Sequence, residues 1–108
     1  MNNKQYNIGF IEVICGPMFS GKTKELIDRL EKIKSSNNRI QAFKPKIDDR
    51  YSKDHIVSHN GKKIKCIIIT NTKNILKYLD DADIFAFDET QFFDNSIIRI
   101  CNKLAANN

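Results

Sequence analysis

Gly16-Pro17-Met18-Phe19-Ser20-Gly21-Lys22-Thr23 fits the pattern G-x-x-x-x-G-K-S/T, and each fixed position has a chemical reason to be there. Glycines at 16 and 21 let the backbone turn tightly and approach a phosphate, so that successive N–H groups point at its oxygens. A helix starting directly after the loop adds the partial positive charge of its N-terminus. The Lys22 ammonium can reach the β- and γ-phosphates, and the Thr23 hydroxyl can ligate magnesium. The implied chemistry is a cradle for a magnesium nucleotide, ATP foremost. A chance glycine-rich turn is the competing account. Four fixed positions, with a strand-like segment before and a helix-like one after, weigh against it.

A second cluster fits the first. Ile84-Phe85-Ala86-Phe87 runs straight into Asp88-Glu89, an apolar strand that delivers two acids at its C-terminal end. In parallel sheets ligands bind at that end. Asp88 suits the role of holding magnesium opposite Thr23, directly or through water. Glu89 is then placed to meet a substrate hydroxyl, and Thr90 and Gln91 extend the stretch that faces the nucleotide. Taken alone, such an acid pair is more often a solvated strand end.

The elements that must position these residues follow from hydrophobic spacing. Residues 8–15 are nearly all apolar and short enough for a buried strand. From Lys22 to Lys34 the spacing predicts a helix with Leu26, Ile27, Leu30 and Ile33 inward. Glu25–Arg29 and Asp28–Lys32 then pair across its outer face. A strand is expected from Arg39 to Phe43, stopped by Pro45. His55–Ser58 and Lys62–Cys66 flank His59-Asn60-Gly61, a hairpin signal. Ile67-Ile68-Ile69 is a further strand, followed by a short helix capped by Asn71 or Thr72 and carrying Ile75, Leu76 and Leu79. After the strand at 84–87 comes a last helix, capped by Asn95 or Ser96, with Ile97, Ile98, Cys101, Leu104 and Ala105 inward. Strands alternating with helices imply an α/β fold with a parallel sheet covered by helices. The hairpin is a small insertion on that plan.

The 108 residues suit one domain, residues 1–108. Hydrophobic residues make up 41% and charged residues 29%, the balance of a folded chain, and no apolar run reaches the ~20 residues of a membrane helix. The N-terminus shows no secretory signal, so a cytoplasmic location and no membrane partner are expected. Cys15, Cys66 and Cys101 form no C-x-x-C pair and are expected to be buried, reduced thiols. A net charge of +5 from scattered lysines suits anionic ligands but does not draw a nucleic-acid face. His55 and His59 lack a third metal ligand and are expected to be surface polar groups.

The stretch from Ile11 to Thr23 closely resembles the opening of the cellular-type (type II) thymidine kinases. Phe43-Lys44-Pro45-Lys46-Ile47-Asp48-Asp49-Arg50-Tyr51, Ser58-His59-Asn60-Gly61 and Asp88-Glu89-Thr90-Gln91-Phe92-Phe93 resemble that family's later landmarks, in order. The resemblance implies a P-loop NTPase fold of RecA-like type and transfer of the ATP γ-phosphate to the 5′-hydroxyl of thymidine. It gives Glu89 the place of the general base. It gives Asp48 and Arg50 places near the reacting phosphate, and Met18 and Phe92 places in the wall of the thymine pocket. It also implies homotetramers and a zinc-bearing lasso. Without the resemblance, Asp48, Asp49 and Arg50 would read as a solvated turn, and Met18, Phe92 and Phe93 as core. A non-catalytic ATP-binding remnant and another P-loop ATPase are the alternatives to a kinase.

Two departures from the family pattern carry expectations. The sequence reaches Asn108 where the resembling family still has nearly half its length to run, so later strands, lasso and zinc ligands have no candidates in it. On its own, such a chain is expected to keep the phosphate-binding geometry with little phosphoryl transfer, because water is not excluded and the nucleoside is not gripped. The other departure is Thr90, a β-branched residue where the family usually has a small one, which can narrow the approach to the site.

Overall fold

The computed structural model describes residues 9–17, 20–34, 37–46 and 54–106. A three-stranded parallel sheet lies at its centre, with helices on both faces. In chain order the elements are helix α1 (Lys22–Lys34), strands β1 (Ile40–Pro45), β2 (His55–Val57), β3 (Lys63–Lys65) and β4 (Ile67–Ile69), a 3₁₀ helix (Thr72–Tyr78), strand β5 (Ile84–Phe87), a short 3₁₀ turn (Thr90–Phe92) and helix α2 (Ser96–Ala106). The strand order in the sheet is β4-β1-β5, and β2 and β3 form a separate antiparallel pair. The expected α/β class and hairpin insertion are both present.

Alternation along β1 divides the core in two. Successive side chains of a strand point to opposite faces. Ala42, beside Ala86 of β5, packs with Ile27 and Leu30 of α1, Ile56 of the hairpin, and Cys66. Phe43, fully buried, faces the other way and packs with Ile69, Ile75, Ile100 and Leu104. Its ring stacks on Phe87 at 5.3 Å and meets Tyr78 edge-on at 5.5 Å. Phe43→Ala is therefore expected to lower unfolding free energy by about 3–5 kcal/mol, measured by urea denaturation, because it opens a cavity at the junction of three strands and two helices.

The hairpin turns at Ser58–Gly61, where Gly61 adopts a positive φ of 87° that suits glycine, and its amide donates to the Ser58 carbonyl at 3.0 Å. Helix α1 buries Ile27 and Leu30 as its spacing required, and Arg29 pairs with Glu25 at 2.8 Å. Asp28 pairs with Lys24 and with Lys62 of the hairpin, each at 2.8 Å, rather than forming the expected rung with Lys32. The two lysines hold its carboxyl far down, at about 2, so this contribution to stability is present above the ordinary carboxylate range and fades as pH falls through that value.

Several expectations need correction. Residues 9–16 form no strand. Phe10, Ile11 and Val13 are exposed, and Cys15 is an exposed thiol rather than a buried one. An apolar composition does not make a strand unless a neighbouring strand takes up its backbone groups. β1 runs on through Pro45, because Pro45 lies near the strand's C-terminal end and the next amide, of Lys46, bonds Ile69 at 3.1 Å. The short helix is 3₁₀ in form and is capped by Asn71, whose side chain takes the Lys73 amide at 3.0 Å. In α2, Ile100 and Leu104 are buried, whereas Ile98 is exposed. Its start is held by Asp94, whose carboxylate takes the Ser96 amide at 2.9 Å and the Thr72 hydroxyl at 3.2 Å. No helix among the described residues is long and apolar enough to cross a membrane.

Candidate functional site

The Gly16–Thr23 loop leads into α1, and the acids at 88 and 89 leave β5, so both arrive at the C-terminal end of the sheet. Gly21 adopts φ +87°, where a side chain would be strained. A Cβ on Gly16 would meet the Ser20 hydroxyl at 2.6 Å, so a larger residue there would push that side chain aside. The Ser20 amide bonds the Pro17 carbonyl at 3.1 Å and completes the turn. The Lys22 ammonium folds over the loop and donates to the carbonyls of Gly16 at 2.6 Å and Pro17 at 3.0 Å. Met18 and Phe19 lie outside the described residues.

Thr23, in the first turn of α1, points its hydroxyl at Asp88 across 3.4 Å. This contact joins two segments 65 residues apart in sequence. Burial pushes the Asp88 carboxyl above the usual carboxylate range, and the neighbouring Glu89 charge adds to the rise. The Thr23 hydroxyl and the Lys44 ammonium pull it back. A partly buried carboxylate beside a hydroxyl, raised chiefly by burial, suits a hard cation that also holds phosphate oxygens. Among the described residues there is no cluster of three or more His, Cys, Asp or Glu that could enclose a metal by itself. Magnesium commonly needs only one or two protein groups beside substrate phosphates.

Lys44 belongs to this group, although its position in the sequence did not single it out. The alternation that puts Ala42 on the α1 face puts Lys44 there too, one register step from Asp88, whose amide bonds the Phe43 carbonyl at 3.0 Å. Lys44 is buried, and its ammonium donates to the His55 carbonyl at 2.6 Å, tying the hairpin to the sheet. A lysine ending an apolar strand just before proline is the only signal that could have marked it.

Glu89 takes the left-handed backbone conformation, φ 55° and ψ 46°, uncommon for a side chain of its kind. The turn breaks β5 and launches the Thr90–Phe92 turn, and Gln91 donates to the Glu89 carboxylate at 2.7 Å. Thr90 and Gln91 are exposed, and Phe92 is half exposed rather than core. Phe92 and Phe93 line an open cleft with Pro45, Lys46, Ile69, Thr70, Thr72 and Asp94 at the same end of the sheet. Asp48 and Arg50 lie outside the described residues. His55 pairs with Asp54 at 2.8 Å.

A parallel α/β sheet with a glycine-bearing loop at a helix N-terminus, opposite an acid at a strand end, is the arrangement of a nucleotide-handling protein. Comparison with known proteins narrows this. A family model described as thymidine kinase matches residues 9–108. A thymidine kinase of Bacteroides fragilis is 48% identical over 99 residues, which cover 92% of this chain and 50% of that protein. The chain belongs to the thymidine kinase family, and it spans about half the length of the curated relative it matches.

Proposed function

We propose that the chain forms the phosphate-binding and acid-bearing part of a thymidine kinase, which transfers the ATP γ-phosphate to the 5′-hydroxyl of thymidine. On this reading residues 1–108 are one domain of RecA-like P-loop type. The observation that carries it is the convergence of Lys22, Thr23 and Asp88 at the N-terminus of α1, with Lys22 at 2.6 Å from the loop carbonyl of Gly16 and Thr23 at 3.4 Å from Asp88.

Residue roles follow from position. Backbone amides of the loop from Gly16 to Gly21, Met18 and Phe19 included, orient the phosphates, and Lys22 swings from the loop carbonyls to their oxygens. Thr23 and Asp88 would hold magnesium, which supplies positive charge against the phosphate oxygens. Glu89, steadied by Gln91, accepts the proton of the attacking hydroxyl. Asp48 and Arg50 are assigned to the reacting phosphate by resemblance, and Met18 and Phe92 to the nucleoside base. The half-exposed Phe92 ring is available for that contact. Since phosphoryl transfer has a loose transition state, orientation and charge do most of the catalytic work.

Titration of the chain with ATP is expected to show saturable binding that magnesium tightens at least tenfold. Absence of saturable binding overturns the reading. Product analysis then separates the chemistries. Thymidine 5′-phosphate formed at the expense of ATP supports the kinase, whereas ADP with no phosphorylated nucleoside assigns the site to an ATPase.

A further inference from the structure

We propose that the buried Lys44 ammonium is the charge partner of Asp88 and makes this acid a conditional metal ligand, one that holds a divalent cation only together with nucleotide phosphates. The inference rests on the reading of Thr23 and Asp88 as the magnesium groups, and it gives Lys44 a part in deciding when they act.

Register places the two charges side by side. Phe43 of β1 lies opposite Phe87 of β5, and the Asp88 amide continues the ladder by bonding the Phe43 carbonyl at 3.0 Å. The next step sets Lys44 opposite Asp88, on strands about 4.8 Å apart. Alternation sends both side chains to the α1 face that Ala42 and Ala86 share, and there Asp88 meets the Thr23 hydroxyl. A third group senses both charges. Burial pushes the Cys66 thiol up to about 11, with Lys44 drawing it down and Asp54 and Asp88 adding to the rise. Opposite effects on one buried thiol put the ammonium and the carboxylate around a common space.

Lys44 is fixed in this position. It is 6% exposed, and its ammonium donates to the His55 carbonyl at 2.6 Å. The hairpin that supplies this carbonyl is itself fastened, by Ile56 in the core beside Ile27 and Ala42 and by Lys62 on Asp28 of α1 at 2.8 Å. A fixed cation in a poorly hydrated setting acts on its neighbours more strongly than one in water. Lys22, on the loop carbonyls, adds positive charge at the same end of the sheet. Magnesium gives up its water reluctantly and is usually held through one or two carboxylates together with phosphate oxygens. One carboxylate with an ammonium beside it and a hydroxyl opposite offers too little negative charge to hold a bare ion. A triphosphate supplies the remainder. The arrangement therefore reserves the site for the metal–nucleotide complex.

Titration of the nucleotide-free chain with manganese(II), followed by the electron paramagnetic resonance of the free ion, tests this. The unsubstituted chain is expected to bind the ion no tighter than Asp88→Asn, within about twofold. Lys44→Gln, which removes the charge and keeps N–H donors, is expected to bind it roughly tenfold tighter or more. Combining Lys44→Gln with Asp88→Asn is expected to cancel the gain, and Lys44→Arg, which keeps the charge, to show none. Lys62→Gln removes the same formal charge from a half-exposed hairpin side chain paired with Asp28, and is expected to stay within about twofold of the parent. Clearly tighter binding by the unsubstituted chain than by Asp88→Asn overturns the inference. That comparison carries no substitution at Lys44, so it stands whatever the folding of Lys44→Gln. An unchanged affinity of the folded Lys44→Gln chain, or a gain that survives Asp88→Asn, also overturns it. Because nucleotide is absent throughout, failure here is distinct from failure of ATP binding.

Discussion

Lys22→Ala is expected to weaken ATP binding in the presence of magnesium roughly a hundredfold, about 3 kcal/mol, by isothermal titration. The magnitude follows from the loss of one charge-assisted contact to phosphate. The ammonium already rests on the loop, 2.6 Å from the Gly16 carbonyl and 3.0 Å from that of Pro17, so little reorganisation separates its resting and phosphate-bound positions. A control isolates the effect from net charge. Lys24→Ala removes the same formal charge two residues on, from a side chain that is half exposed and paired with Asp28. That variant is expected to bind ATP within about threefold of the parent, since exposed ion pairs contribute little. If both variants bind equally well, the loop is not the phosphate site.

The parts of this fold that could be read from sequence are those whose signal is local. Helix α1 was legible because Ile27 and Leu30 fall on one helical face, and the hairpin because Asn60-Gly61 suits its turn. β4 and β5 were legible as short apolar runs. What was misread depends on partners remote in sequence. Residues 9–15 have a strand's composition but lack a strand beside them in the structure. Asp94 starts α2 in preference to Asn95 or Ser96 partly because Thr72, 22 residues earlier, also bonds its carboxylate. Lys44 can be buried because the hairpin brings the His55 carbonyl to it. Within the candidate site, the pairing of Thr23 with Asp88 was foreseeable from two motifs in order. The left-handed backbone of Glu89 was not, because its side chain gives no hint of a conformation that glycine ordinarily takes. Glu89 therefore holds this conformation through its surroundings, the end of β5 on one side and the Thr90–Phe92 turn on the other.

Asp88→Asn is expected to do two opposite things: remove the magnesium dependence of ATP binding and raise the melting temperature of the nucleotide-free chain at neutral pH by a few degrees. The first follows from the carboxylate's position, 3.4 Å from the Thr23 hydroxyl at the mouth of the loop, because an amide is a poor partner for a hard cation. The second follows from its titration. Burial, then the adjacent Glu89 charge, lift the folded-state pKa above that of the unfolded chain. A group raised in this way contributes stability that is complete below its unfolded pKa and is lost as pH rises through the folded one. Near pH 7 the ionised carboxylate therefore opposes folding, and the neutral, isosteric amide relieves that opposition. The gain should shrink as pH falls through the raised folded-state pKa, where the parent's own carboxyl takes up its proton, and be gone below about pH 4, the ordinary carboxylate value. Thermal melts of both proteins from pH 3 to pH 8, with and without magnesium and ATP, separate the two effects. A variant that is less stable at pH 7 would mean that Lys44 and Thr23 outweigh burial, making Asp88 a structural anchor rather than a strained ligand waiting for its cation.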